Sequence, residues 1–88
     1  MRSRTTRHFW TLFQRLPADV QERAQKAYAQ FRDNPAHPGL QFKRVSDEDP
    51  LYSVRIGLRH RAVGMFTSDT ITWFWIGTHD DYERVIGG

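Results

Sequence analysis

Eighty-eight residues with 39% hydrophobic and 14% aromatic side chains are enough for one packed domain, with a core near the lower end of what folds unaided. The absence of cysteine excludes a disulfide framework and a thiolate metal site, and no apolar run approaches the ~20 residues that cross a bilayer. The net charge of +3 comes from thirteen basic residues against ten acidic ones, and eleven of the basic ones are arginine, whose planar fork suits phosphate. The chain therefore reads as one domain over 1–88 that suits a reducing cytoplasm, has no membrane partner, and leans toward an acidic or phosphate-bearing one.

The first third reads as two helices. Phe9, Leu12, Phe13 and Leu16 fall at i, i+3, i+4 and i+7, one face of a helix. Pro17 interrupts and fits the first turn of a second helix, where Asp19 and Glu22 meet the positive end of the helix dipole. Val20, Ala24, Ala27, Tyr28 and Phe31 then repeat at helical spacing. Asn34 to Gly39 holds two prolines and a glycine and reads as a loop.

The remainder reads as four short strands, at 40–45, 51–58, 61–66 and 70–76, separated by an acidic turn closed by Pro50, by the segment from Gly57 to His60, and by Thr67-Ser68-Asp69. The expected fold class is α+β: an N-terminal helical hairpin packed on a four-stranded, mainly antiparallel sheet, followed by a short C-terminal helical turn. Alternation puts Tyr52, Val54 and Ile56 toward the helices and Arg55 on the opposite face. In the last strand it pairs Trp73 with Trp75 on one face and Phe74 with Ile76 on the other. With both sides apolar there, that strand is central or its second face is covered.

Chemistry can be sought in three places. Gly77-Thr78-His79-Asp80-Asp81-Tyr82 follows an aromatic strand, so a turn at Gly77 could present His79 above the sheet for general acid or base work. The same pattern describes an ordinary strand-end histidine bonded to Asp80 or Asp81. Arg55, Arg59, His60 and Arg61 cluster in and around one turn and could stabilise charge on a phosphate, or form a basic, solvated turn. Lys43 and Arg44 make a third basic spot, on alternate faces of their strand. His8 and His37 read as surface residues, and no metal-ligand spacing or glycine-rich phosphate loop is present, so neither a metal nor a cofactor is expected.

Two N-terminal helices, Asn34-Pro35, His37-Pro38-Gly39-Leu40, Phe42-Lys43, Tyr52-Ser53-Val54-Arg55-Ile56, His60-Arg61-Ala62-Val63 and the Gly77-Thr78-His79 tail together resemble the RelE/ParE superfamily over nearly the whole chain. The resemblance implies the toxin of a type II toxin–antitoxin module. Its RelE- and YafQ-like branches cleave mRNA on the ribosome without metal, by attack of the RNA 2′-hydroxyl; the ParE branch inhibits DNA gyrase instead. A non-catalytic module that binds only antitoxin or RNA is a further alternative. Carried over, Arg61 and Arg55 would contact and stabilise the scissile phosphate and His79 would protonate the leaving 5′-oxygen. Lys43, Arg59 and His60 would bind substrate, and Tyr82 would stack on or orient a base. Ser53 departs from RelE, which has lysine there, and Asp80-Asp81 would repel RNA unless Arg84 or Arg59 neutralised them. The implied partners are a cognate antitoxin and mRNA on the ribosome, with a small oligomer or a toxin–antitoxin complex compatible with both.

Overall fold

The computed structural model describes residues 1–87. The chain runs β1 (Arg2–Thr5), α1 (Arg7–Gln14), α2 (Ala18–Asp33), β2 (Lys43–Arg44), β3 (Leu51–Ile56), β4 (His60–Thr67), β5 (Thr70–Thr78) and α3 (His79–Gly87). The five strands form one sheet in the order β1-β5-β4-β3-β2. The three junctions from β2 to β5 are antiparallel, while β1 lies parallel to β5 at the edge.

The helical hairpin is as expected. Thr6 stops β1 and caps α1, its hydroxyl accepting from the Phe9 N–H at 3.1 Å. Phe9 is buried, and Leu12, Phe13 and Leu16 pack against the core from the same face. In α2, Val20, Ala24 and Phe31 are buried, whereas Tyr28 stays exposed beneath the Arg32 guanidinium, 5.3 Å from its ring centre. Because one cap hydroxyl typically contributes ~1 kcal/mol, Thr6→Ala should lower the melting temperature by about 5 °C. Thermal unfolding followed by circular dichroism measures this; an unchanged midpoint would show that the cap bond is not formed in solution.

Four expectations are corrected. Arg2–Thr5 is a strand and not part of a helix: it runs beside β5, the Arg2 N–H donating to the Asp69 carbonyl at 2.8 Å and Thr6 N–H to Trp73 carbonyl at 3.1 Å. Strand character over 40–45 shrinks to Lys43–Arg44, because Pro38–Leu40 forms a 3₁₀ turn that buries Leu40 and Gln41 takes a left-handed φ of 46°. The C-terminal turn is a helix of nine residues. Finally, Trp73 and Trp75 do not share a face.

The last difference has a packing cause. Gly64 of β4 pairs with Trp73 and its neighbour Val63 pairs with Trp75, so Phe74 is an extra residue, a bulge in β5. A side chain at Gly64 would stand 2.8 Å from Trp73 and 2.9 Å from Ile71, so the missing Cβ makes room for both in the core. Past the bulge the alternation is reversed, and Ile76 joins Ile71 and Trp73 beneath the helices while Trp75 turns to the other face. On the helical side Trp73 meets Phe31 edge to face at 5.3 Å, and Phe42 stacks on Tyr52 at 5.0 Å. The β4–β5 turn is Ser68-Asp69, both at positive φ (49° and 66°), as a two-residue hairpin turn matched to strand twist requires.

Candidate active site

The sheet face away from α1 and α2 carries the basic residues. Paired residues of neighbouring strands point the same way, so the register Lys43–Ser53–Val63–Trp75 and the register Arg55–Arg61–Gly77 are two adjacent rows on this face. Arg55 and Arg61 stand directly opposite one another. Like charges so placed repel, and burial together with Arg55 lowers the Arg61 pKa, while Tyr82 acts to raise it. Neither arginine has an acidic partner among the described residues. Each spends a donor on a backbone carbonyl, Arg55 Nε on Gly57 at 3.0 Å and Arg61 Nη1 on His60 at 2.8 Å, which aims the guanidinium and leaves other N–H groups free.

His79 reaches this face through α3. Gly77 does not turn the chain there, because β5 continues through Thr78. Instead Thr78 caps α3, its hydroxyl accepting from the Asp81 N–H at 3.2 Å, and the His79 N–H donates to the Arg59 carbonyl at 2.7 Å. The first bond closes the start of α3 and the second pins it to the β3–β4 turn, beside the arginine pair. The His79 ring lies 5.6 Å from that of Tyr82, and its Nε2 is 3.7 Å from the Glu83 carboxylate one helical turn on. Neither Asp80 nor Asp81 holds His79 in an ion pair; Asp81 is matched by Arg84 at 3.1 Å, one of the two neutralising partners the sequence offered.

Arg55, Arg61, Tyr82 and His79 thus come together, with Lys43 on the same face at the sheet edge. Tyr82 is buried, and its hydroxyl lies 3.4 Å from that of Ser53. With α3 docked in this way, its ring is a support for His79 and Arg61 rather than an open surface for a base. Arg59 is exposed in the turn, where its carbonyl holds α3. His60 is not brought to the site, because it pairs with Ile56 and faces α2. Glu83 escaped the sequence reading, although i+4 spacing from His79 on a helix was the signal; so did the capping role of Thr78, although Thr78-His79-Asp80-Asp81 has the spacing of a helix cap. No group of three or more His, Asp or Glu side chains that could hold a metal occurs among the described residues.

The position of His60 makes a stability prediction. Burial lowers its pKa below the ordinary 6.5, Arg23 lowers it further, and Asp19 opposes them. Below pH 6.5 the unfolded chain therefore binds more protons at this site than the folded one. Stability should be full above that pH, fall as the pH drops through the window beneath it, and level off under the folded-state pKa. Denaturant melts of wild type and His60→Gln across pH 5–8 should give stability profiles whose slopes differ only within that window, and profiles parallel throughout would contradict the assignment.

Three layers, a helical hairpin on one face of a mixed five-stranded sheet and a C-terminal helix on the other, define a RelE/ParE-type toxin fold. The structure superimposes on YafQ from E. coli (TM-score 0.73, 9% identity, covering 93% of this chain and 98% of that one). It also matches a chain of the RelB–RelE antitoxin–toxin complex from Methanococcus jannaschii (0.70, 14%, 93% and 96%) and the YoeB/ParE toxin from Agrobacterium tumefaciens (0.67, 19%, 90% and 99%). At these identities the likeness is one of fold. No curated protein sequence matches the chain. The ParE-like toxin domain model matches residues 18–84, three quarters of the chain, and the protein belongs to that family. No described helix is long and apolar enough to cross a membrane.

Proposed function

We propose that the protein is the toxin of a type II toxin–antitoxin module and an endoribonuclease that cleaves mRNA on the ribosome, with its cognate antitoxin as the resting partner. The observation that carries this reading is the unneutralised Arg55–Arg61 pair with His79 anchored beside it. Two guanidiniums side by side cost folding energy unless an anion joins them, and a phosphodiester is the anion their forks fit.

The chemistry follows from the charges. The 2′-hydroxyl of the RNA gives its proton to a base and its oxygen attacks the adjacent phosphorus. The bond from phosphorus to the 5′-oxygen breaks, leaving a 2′,3′-cyclic phosphate and a 5′-hydroxyl. Arg61 and Arg55 stabilise the extra negative charge on the phosphorane oxygens, and the imidazolium of His79 donates its proton to the departing 5′-oxygen. Glu83 lies 3.7 Å from the Nε2 of the ring, and Lys43 offers a contact for a neighbouring phosphate.

The family model bears the name of ParE, so gyrase inhibition is the competing reading. Purified toxin is to be incubated with programmed ribosomes and, separately, with gyrase and relaxed plasmid. Cleavage of the mRNA, with a cyclic phosphate at the new end, supports the nuclease. Blocked supercoiling with intact mRNA would replace it with a ParE-like inhibitor.

A further inference from the structure

Trp75 is the one tryptophan on the basic face. The bulge at Phe74 sends its side chain there, away from Trp73, and it pairs across to Val63. Its indole does not stand upright. A Cβ built on Gly77 would lie 2.7 Å from Trp75 Cζ2 and 2.9 Å from Cη2, so the six-membered ring lies flat along β5 over Gly77. Gly77 in turn pairs with Arg61. The indole is therefore one strand spacing, ~4.8 Å, from the backbone of the arginine assigned to the scissile phosphate, and the glycine beneath it stands two residues before His79.

Gly77 has no positive φ among the described residues, so backbone freedom does not explain it. Space does, because any side chain there would displace the indole. Trp75 remains half-buried, in contrast to Trp73, which is 3% exposed. Tyr82, the aromatic residue the family resemblance implied for stacking, is 6% exposed and bonded to Ser53. A nucleotide whose phosphate meets Arg61 must place its base within a few ångströms of that phosphate, and the half-open aromatic surface beside Arg61 is Trp75.

We infer that the Trp75 indole, held down over Gly77, is the platform on which an RNA base flanking the scissile phosphate stacks. The inference rests on the ribonuclease reading. Stacking tolerates any base, because every base has a π-face, so the platform would orient the substrate without dictating sequence. The occupant is a single-stranded RNA base rather than an antitoxin side chain, because the arginine pair next to the indole supplies the phosphate contact that a base brings with it.

The test uses the full chain with Trp10→Phe as background, to remove an exposed fluorophore. A fully 2′-O-methylated single-stranded RNA, which cannot be cleaved, should quench the remaining emission, and the quench should disappear in Trp75→Leu. On programmed ribosomes, Trp75→Leu should raise KM about tenfold, in line with the strength of one base–aromatic stack, and change kcat less. Trp75→Phe should restore most of the loss, and Gly77→Ala, which keeps the indole but lifts it, should reproduce it. Thermal melts identify any variant that fails to fold, and Gly77→Ala then carries the test alone. Wild-type KM in both Trp75→Leu and Gly77→Ala, or a quench that survives without Trp75, overturns the platform while leaving the nuclease standing. A wild type that neither cleaves mRNA nor responds to the RNA overturns both, and a quench by purified antitoxin but not by RNA reassigns the indole to the antitoxin.

Discussion

Arg61→Gln is expected to slow mRNA cleavage on programmed ribosomes by about two to three orders of magnitude, the usual cost of removing one preorganised donor from a developing oxyanion. The fold should survive the change. Arg61 has no carboxylate partner to orphan, and its guanidinium holds one hydrogen bond, to the His60 carbonyl. Glutamine also ends the repulsion from Arg55, which directly opposes it in the β3–β4 register. Cross-strand pairs of this kind are worth ~0.2–1 kcal/mol, so stability should be equal to wild type or slightly above it. Slower cleavage together with unchanged or higher stability in Arg61→Gln would show that Arg61 is placed by function. His79→Ala should act at the other end of the bond being broken and cost about a hundredfold or more, because a positioned general acid contributes on that scale. Single-turnover cleavage with excess toxin, alongside denaturant melts, separates rate from stability. Wild-type cleavage by Arg61→Gln would remove the arginine pair from the mechanism.

The dependence on α3 explains why the site has so few residues of its own. His79 is placed by one bond from its amide to Arg59 and by the Thr78 cap, and Tyr82 fills the space between α3 and Ser53. The arginines belong to paired strands in the middle of the sheet, whereas the histidine belongs to the first turn of a terminal helix. One half of the site is fixed by the sheet, and the other follows α3.

Sequence reading recovers the parts of this structure that depend on a regular period. Phe9, Leu12, Phe13 and Leu16 repeat as a helix does, and Tyr52, Val54 and Ile56 alternate as a strand does; both sets face the core as their spacing requires. It fails where the period is broken by a tertiary contact. Phe74 reads as an ordinary strand residue, and only the close approach of Trp73 and Ile71 to Gly64 explains why it bulges. Arg2-Ser3-Arg4-Thr5 has no apolar alternation at all. It is a strand because β5 offers an open edge and because Ser3 and Thr5 accept from the indoles of Trp73 and Trp10. His60 and Arg61 are neighbours in sequence, and one residue of strand alternation sends the first to α2 and the second to the site. The basic cluster was legible, but its division between two faces needed the register.

Trp73→Ala should be the most damaging single substitution to stability. The side chain is 3% exposed and sits where three layers of contact meet. Its ring packs against Phe31 at 5.3 Å and Phe42 at 6.4 Å, its edge fills the space over Gly64, and its Nε1–H donates to Ser3 Oγ at 3.1 Å. Truncating a buried tryptophan costs ~3–5 kcal/mol, and a domain of this length has only ~5–10 kcal/mol to lose. At ~4–8 °C per kcal/mol, the melting temperature should fall by about 20 °C. The damage should also be uneven. Ser3 loses its indole partner, so β1 should lose amide protection in hydrogen exchange before β3 and β4 do. Trp73→Phe separates the contributions, because it keeps most of the ring packing and removes only the bond to Ser3. It should cost about 1–2 kcal/mol and still loosen β1. Equal protection of β1 in Trp73→Phe and wild type would mean that the ladder to β5 alone holds the edge strand, and that the indole bond contributes nothing to it.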